Sequence, residues 1–247
     1  MSGQFEGKVV IVTGAASGIG NSVAHHFAGL GARVFGVDRD ESIGTAMAML
    51  PGSGHHAIPI DLTAIGSANT VVSEAVDAAG HIHVLVNSAG IVLLDHAEDL
   101  SAEAWNATIA VNLTASFFMA QAAGRVMKVA RFGRIINLAS QASVVGLDQH
   151  VAYSASKAGL LGMTRVLSLE WAPFGVTVNS VSPTVVETPL GKAAWAGERG
   201  EKMKALIPAG RFARPDEIAA LIAYIAGDDA GMITGENILI DGGYSSV

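Results

Sequence analysis

Few folds accommodate a β-branched run that breaks into glycines at three set positions and then turns helical. Lys8-Val9-Val10-Ile11-Val12 lacks the alternation of a half-buried strand, so it reads as a strand buried on both faces of a parallel sheet. It runs into Thr13-Gly14-Ala15-Ala16-Ser17-Gly18-Ile19-Gly20, and a helical pattern follows through Leu30. Gly14, Gly18 and Gly20 allow a tight turn and close backbone approach to a pyrophosphate at the helix N-terminus. A plain strand-helix turn uses similar text, so the context decides. Ala32 to Val37 is a second strand, and Asp38 closes it eighteen positions after Gly20. A carboxylate there accepts hydrogen bonds from adenosine ribose hydroxyls and repels a 2′-phosphate. No Lys or Arg in the glycine loop offsets that repulsion, which predicts NAD rather than NADP as cofactor. Arg39 lies over the adenine or reaches a phosphate.

The alternation continues along the chain. His56 to Ile60 is a third strand ending at Asp61-Leu62-Thr63, followed by a helix from Ala64 to Ala79. Asp61 meets the adenine or caps that helix, and the two readings are compatible. His81 to Val86 is a fourth strand ending in Asn87-Ser88-Ala89-Gly90, and a long helix is expected from about Trp105 to Val129. Strands follow at Arg134 to Leu138, Val176 to Val181 and Asn237 to Asp241, with helices around Tyr153 and from Pro215 to Ala226. Such alternation calls for an α/β fold, a doubly wound parallel sheet with ligands at the strand C-terminal ends. At 247 residues without repeat or linker, the chain is expected to be a single domain spanning 1–247.

Composition excludes several function classes. Asp plus Glu number 22 against 15 Lys plus Arg, a net charge of −7, so there is no basic stripe for a nucleic-acid partner. Absent cysteines rule out a disulfide scaffold and thiolate metal sites, and suit a reducing cytoplasm. The N-terminal text lacks a signal-peptide plan, and Asn112, Gln121, Arg125 and Arg165 interrupt the richest apolar stretches, so no membrane partner is expected. The histidines, including His25-His26, His55-His56 and His81-Ile82-His83, follow no metal-ligand pattern and read as surface or core residues.

Tyr153 and Lys157 stand four residues apart in a helical run and share one face. A free tyrosine titrates near 10, too high for a base at neutral pH, and an ammonium held beside it favours the phenolate. The same pair also fits an amphipathic pair on a solvated helix face.

With these pieces placed, the sequence resembles the short-chain dehydrogenase/reductase family over essentially its whole length. The resemblance rests on Thr13-Gly14-x-x-x-Gly18-Ile19-Gly20, Asn87-Ser88-Ala89-Gly90, Asn112, Ser140, Tyr153-x-x-x-Lys157 and Asp241-Gly242-Gly243, in that order. It implies a Rossmann-like sheet of seven strands, a nicotinamide cofactor and hydride transfer between alcohol and carbonyl. It also implies Tyr153 as general acid/base and Lys157 as the group that lowers its pKa and bonds the nicotinamide ribose. Ser140 would hold the substrate oxygen, and Asn112 would anchor a water relaying protons from Lys157. The resemblance assigns Ser17, Ile19, Leu62, Asn87, Ala89, Gly90, Pro183, Val186 and Thr188 to the cofactor. Ser88 departs from a usual second Asn and is expected to adjust the central strand. Pro183-Thr184 departs from a common Pro-Gly.

The stretch from Pro183 to Lys192, with Trp195, resembles the branch of xylulose reductases and small-polyol dehydrogenases. That likeness places Gln141, His150 and Trp195 against a sugar alcohol. An amide and an imidazole supply the donors and acceptors that a polyol needs. His150 also reads as a surface-loop residue, and Trp195 as a lid packing on itself. Small residues between Pro189 and Pro208 suit a mobile flap, or else a surface helix pair. The helices carrying Asn112 and Tyr153 are apolar nearly all round, which points to a partner subunit; the resemblance implies a homotetramer. The alternatives are a 3-oxoacyl or general carbonyl reductase and, from another class, a non-catalytic nucleotide-sensing regulator.

Overall fold

A computed structural model of the chain describes residues 3–246, Leu190 by its backbone alone. Met1 and Ser2, where the leader reading begins, lie outside the described residues. The strands are β1 (Val9–Thr13), β2 (Arg33–Asp38), β3 (His56–Pro59), β4 (Val84–Asn87), β5 (Gly133–Leu138), β6 (Val176–Pro183) and β7 (Asn237–Ile240). They form one seven-stranded sheet in the order β3-β2-β1-β4-β5-β6-β7, parallel throughout. The order reverses between β1 and β4, and the crevice beyond the strand C-termini opens there. The helices are α1 (Gly18–Gly29), α2 (Ile43–Ala48), α3 (Ser67–Ala79), α4 (Ala102–Ile109), α5 (Ala115–Ala130), α6 (Val151–Trp171), α7 (Pro189–Ala194), α8 (Glu198–Ala205) and α9 (Pro215–Ala226). None of the described helices is long and apolar enough to cross a membrane.

The period of two along each strand divides the core between the two faces of the sheet. Val10, Val12, Val34 and Val86 pack against Val23 and Phe27 of α1 and Ile218 and Ile222 of α9. Val9, Ile11, Phe35 and Ile135 face the other way, onto Val71 of α3, Met119 and Met127 of α5, and Leu167 and Trp171 of α6. Full burial of each such side chain contributes about 1.5–3 kcal/mol, which is why both strand faces are apolar.

Most strand ends shift by a residue or two from the sequence reading, and larger departures occur at four places. The helix expected from Trp105 to Val129 begins at Ala102 and is interrupted by a π-helical turn, Ala110–Thr114, which carries Asn112. β4 starts at Val84 instead of His81, because the His83 ring accepts the Val9 N–H and stands in for a ladder bond. α3 starts at Ser67 instead of Ala64, after Gly66 at φ 84°. The short α2 went unread; Ile43 and Met47 alone bury its inner face, and Met47 lies directly over Gly36.

Candidate active site

The strand C-termini open into a cavity of about 550 Å³. All the predicted site residues line it except Asn87 and Asn112. One end is built by the β1–α1 turn. Gly14 and Gly18 have φ of 70° and 59°, and a Cβ on Gly14 would come within 2.9 Å of the Ala89 backbone. A Cβ on Gly20 would fall 2.2 Å from the Gly14 carbonyl oxygen, so the turn closes only on bare backbone. Thr13 accepts both the Ser88 and the Ala89 N–H at 3.0 Å, which ties this turn to the end of β4. Ser88 follows β4 directly and lines the cavity.

Asp38 accepts the Ala16 N–H at 3.1 Å through one carboxylate oxygen and the Asp40 N–H at 3.1 Å through the other. The carboxylate is therefore aimed by the glycine turn itself. Asp61 accepts the Thr63 N–H and hydroxyl at 2.8 and 2.7 Å, and these bonds hold its carboxyl below the usual range. It closes a local turn and does not cap α3, which begins only at Ser67. Ser17 sits at the N-cap of α1, exposed, with no side-chain cap bond.

These features fit a dinucleotide. A carboxylate stands where a ribose would end, bare backbone and a helix N-terminus stand where a diphosphate would lie, and Tyr153 and Lys157 line the far end of the same cavity.

At that far end, Ser140 follows β5 and accepts the Ala142 N–H at 3.1 Å. Tyr153 borders the cleft; burial pushes its phenol up, and a hydrogen bond with the Ser140 hydroxyl pulls it back. Lys157 is 4% exposed, and burial lowers it to about 8. Its ammonium donates to the Leu138 carbonyl at 2.6 Å and lies 5.6 Å from the centre of the Tyr153 ring. In the cofactor-free chain the ammonium is thus held by a backbone carbonyl next to the phenol.

Asn87 and Asn112 sit behind the cavity wall and tie its parts together. Asn112, fully buried, accepts the Ile91 N–H at 2.8 Å and donates to the Ile91 carbonyl and to Ser156. Ser156 in turn donates to the Tyr153 carbonyl at 2.7 Å. Asn87 donates to Asn137 at 2.9 Å and to the Ser116 carbonyl at 3.1 Å. Asn137 donates to Thr164, whose hydroxyl meets Ser180 at 2.7 Å. In this structure Asn87 makes no contact with the cavity; its amide joins β4 to β5 and α5, and through Asn137 and Thr164 the catalytic-side helix α6 is pinned to the sheet.

The substrate end is walled by Gln141, His150 and Trp195. Gln141 is 2% exposed, and its side-chain oxygen has no hydrogen-bond partner among the described residues. The His150 ring bonds the Asp148 carbonyl and packs edge-on to Tyr153 with centroids 6.0 Å apart. Trp195 follows α7, which Thr188 caps by accepting the Gly191 N–H at 3.0 Å. Pro183 and Val186 line the wall beside it. Sequence reasoning missed Ile91, Val92, Leu147 and Val185, which complete this wall. They are apolar residues in loops, with no periodicity to mark them. The other histidines lie outside this cavity: burial lowers His83 to about 4, consistent with its role as acceptor for Val9.

A parallel α/β sheet with a glycine turn at its switch point and a Ser-Tyr-Lys cluster in the same crevice defines a dinucleotide-dependent oxidoreductase. The chain belongs to the short-chain dehydrogenase/reductase family: a family model described as enoyl-(acyl carrier protein) reductase matches residues 14–245. It is 50% identical to an NAD-dependent glycerol dehydrogenase of Listeria innocua over 96% of this chain and 94% of that one. It is 47% identical to a D-threitol dehydrogenase of Mycolicibacterium smegmatis over 98% and 94%. A solved candidate NAD(P)-dependent gluconate 5-dehydrogenase from Beutenbergia cavernae superposes with TM-score 0.93 at 35% identity, covering 98% of each chain.

Proposed function

We propose that this protein is an NAD-dependent dehydrogenase that interconverts a small sugar alcohol, a tetritol or pentitol or a shorter polyol, and its ketose. The observation that carries the reading is one shared cavity, in which Ser140, Tyr153 and Lys157 adjoin the polar wall of Gln141 and His150. Its similarity to glycerol and threitol dehydrogenases supports it. Gly14, Ser17, Gly18, Ile19 and Gly20 would hold the diphosphate, and Asp38 the adenosine ribose. Arg39, Asp61 and Leu62 would border the adenine; Ala89, Gly90, Pro183, Val186 and Thr188 would border the nicotinamide half.

When bound, NAD supplies a hydride acceptor beside Ser140 and Tyr153. Ser140 orients the substrate hydroxyl, and Tyr153, as the phenolate, takes its proton. Holding the reacting groups at attack distance is worth up to about 7–11 kcal/mol. Lys157, buried beside the phenol, would help hold the cofactor's ribose and would carry the proton outward. Asn112 acts on this relay by fixing Ile91 and, through Ser156, the carbonyl of Tyr153. Gln141 and His150 bond the remaining hydroxyls of the polyol, and a site built this way rejects deoxy analogues. The helix pair α7 and α8, within the flap around 189–208, closes over the substrate and brings Trp195 down.

The exposed apolar residues Phe118, Val166 and Leu169 lie on α5 and α6 and would be covered in a homotetramer. The chain is read as cytoplasmic. The test is a panel of polyols, 3-hydroxyacyl thioesters and simple secondary alcohols with NAD and NADP, followed by reduced-nicotinamide absorbance. Turnover greatest on polyols with NAD is expected. Preference for acyl thioesters with NADP would overturn the reading in favour of an acyl reductase, and no turnover on any alcohol would favour a sensor.

A further inference from the structure

The C-terminal turn lies far along the chain from the catalytic residues, yet it packs against the base of the flap. Asp241 is 5% exposed and accepts the Gly243 N–H, the Ser245 N–H and the Ser245 hydroxyl. Burial pushes its carboxyl up, but these bonds outweigh burial and hold it below the usual range. The turn so clamped is pressed onto the segment after α8. Gly242 accepts the Ala209 N–H at 3.0 Å, and a Cβ on Gly242 would meet Ile207 at 2.7 Å. Tyr244 then joins a small apolar cluster of Met203, Ile207 and Phe212, against which Val185 and Trp195 also pack. Val185 and Trp195 line the cavity; Tyr244 does not. One apolar cluster thus has the C-terminal turn on one side and two residues of the substrate wall on the other.

We infer that Tyr244, held by the Asp241 turn, is a positioning residue for the substrate wall: it sets Trp195 and Val185 through Met203, Ile207 and Phe212. The inference rests on the proposed reading of that wall as the polyol site. Contacts of this kind act equally on the bound substrate and the transition state, so their loss appears in KM.

The test compares Tyr244→Ala with Tyr244→Phe, which keeps the ring. In Tyr244→Ala, KM for the polyol should rise about tenfold with kcat within about twofold, as expected for a loosened lid. NADH affinity, read by fluorescence titration, should not change. Trypsin supplies a readout apart from turnover, since the flap holds Lys192, Arg199, Lys202 and Lys204. Cleavage there tracks the open population and should speed up about tenfold in Tyr244→Ala. Tyr244→Phe should match the wild type in every measurement. The inference is overturned if Tyr244→Ala keeps wild-type KM, whatever its cleavage rate. It is also overturned if NADH affinity falls in step with KM, which would mark general loosening. Should the wild type oxidise no polyol, the proposed function fails, and the cleavage rates alone decide whether Tyr244 holds the flap.

Discussion

The buried Lys157 makes the stability of the cofactor-free protein depend on pH in a narrow alkaline window. Its folded pKa is about 8, against 10.5 for the free side chain, with burial as the cause. Below pH 8 the ammonium is charged in both states, and the full cost of burying it is present. Above pH 10.5 it is neutral in both, and that cost is gone. Between the two the unfolded chain binds more protons, so stability rises with pH, by up to about 1.4 kcal/mol per pH unit. From pH 7 to pH 9.5 the gain should be about 2 kcal/mol. The phenol of Tyr153 is raised, so its opposing effect begins only near pH 10, outside this range. His81 and His83 are lowered below 6.5 and titrate beneath it. Urea unfolding of the cofactor-free protein at fixed protein concentration measures the slope, with Lys157→Met as control. Wild type should gain stability across the window while Lys157→Met stays flat. A flat wild-type profile, or the same slope in both proteins, would refute the argument that this amine is buried at a cost.

Three further outcomes are expected. Tyr153→Phe should lower turnover by roughly 10²–10⁴-fold, the range of a lost general base, with NADH affinity retained; an active Phe variant defeats the assignment. Asp38→Ala should shift the NAD/NADP preference in kcat/KM by roughly 10–100-fold, the worth of a charged hydrogen bond and a removed repulsion; an unchanged ratio counts against that carboxylate. Thr164→Val leaves Asn137 and Ser180 without a shared partner in the core and should cost about 1–3 kcal/mol in urea unfolding, whereas Thr164→Ser should cost less than half of that. Equal losses in the two variants would mean that the hydroxyl is not the pin.

The chemistry of the site was legible because it depends on residue type at short spacing. Tyr153 and Lys157 share a helix face at any register, and Gly14, Gly18 and Gly20 must be bare wherever backbone crosses backbone so closely. Asn87 and Asn112 were harder to read. Nothing in the letters distinguishes an amide that touches a ligand from one that ties strands together, because the difference lies in what comes near from distant parts of the chain. The apolar wall of Ile91, Val92, Leu147 and Val185 was illegible for the same reason, and α2 because two buried residues set no period.

Taken alone, the sequence determined the alternation of strands and helices, the parallel sheet, and the residue types that carry acid–base and nucleotide chemistry; these follow from local steric and hydrophobic rules. The tertiary structure decided the rest. It buried Lys157, directed its ammonium to the Leu138 carbonyl, and set the C-terminal turn against the flap. Each of these depends on dielectric surroundings and on contacts between residues far apart in the chain, which exist only once the layers have packed.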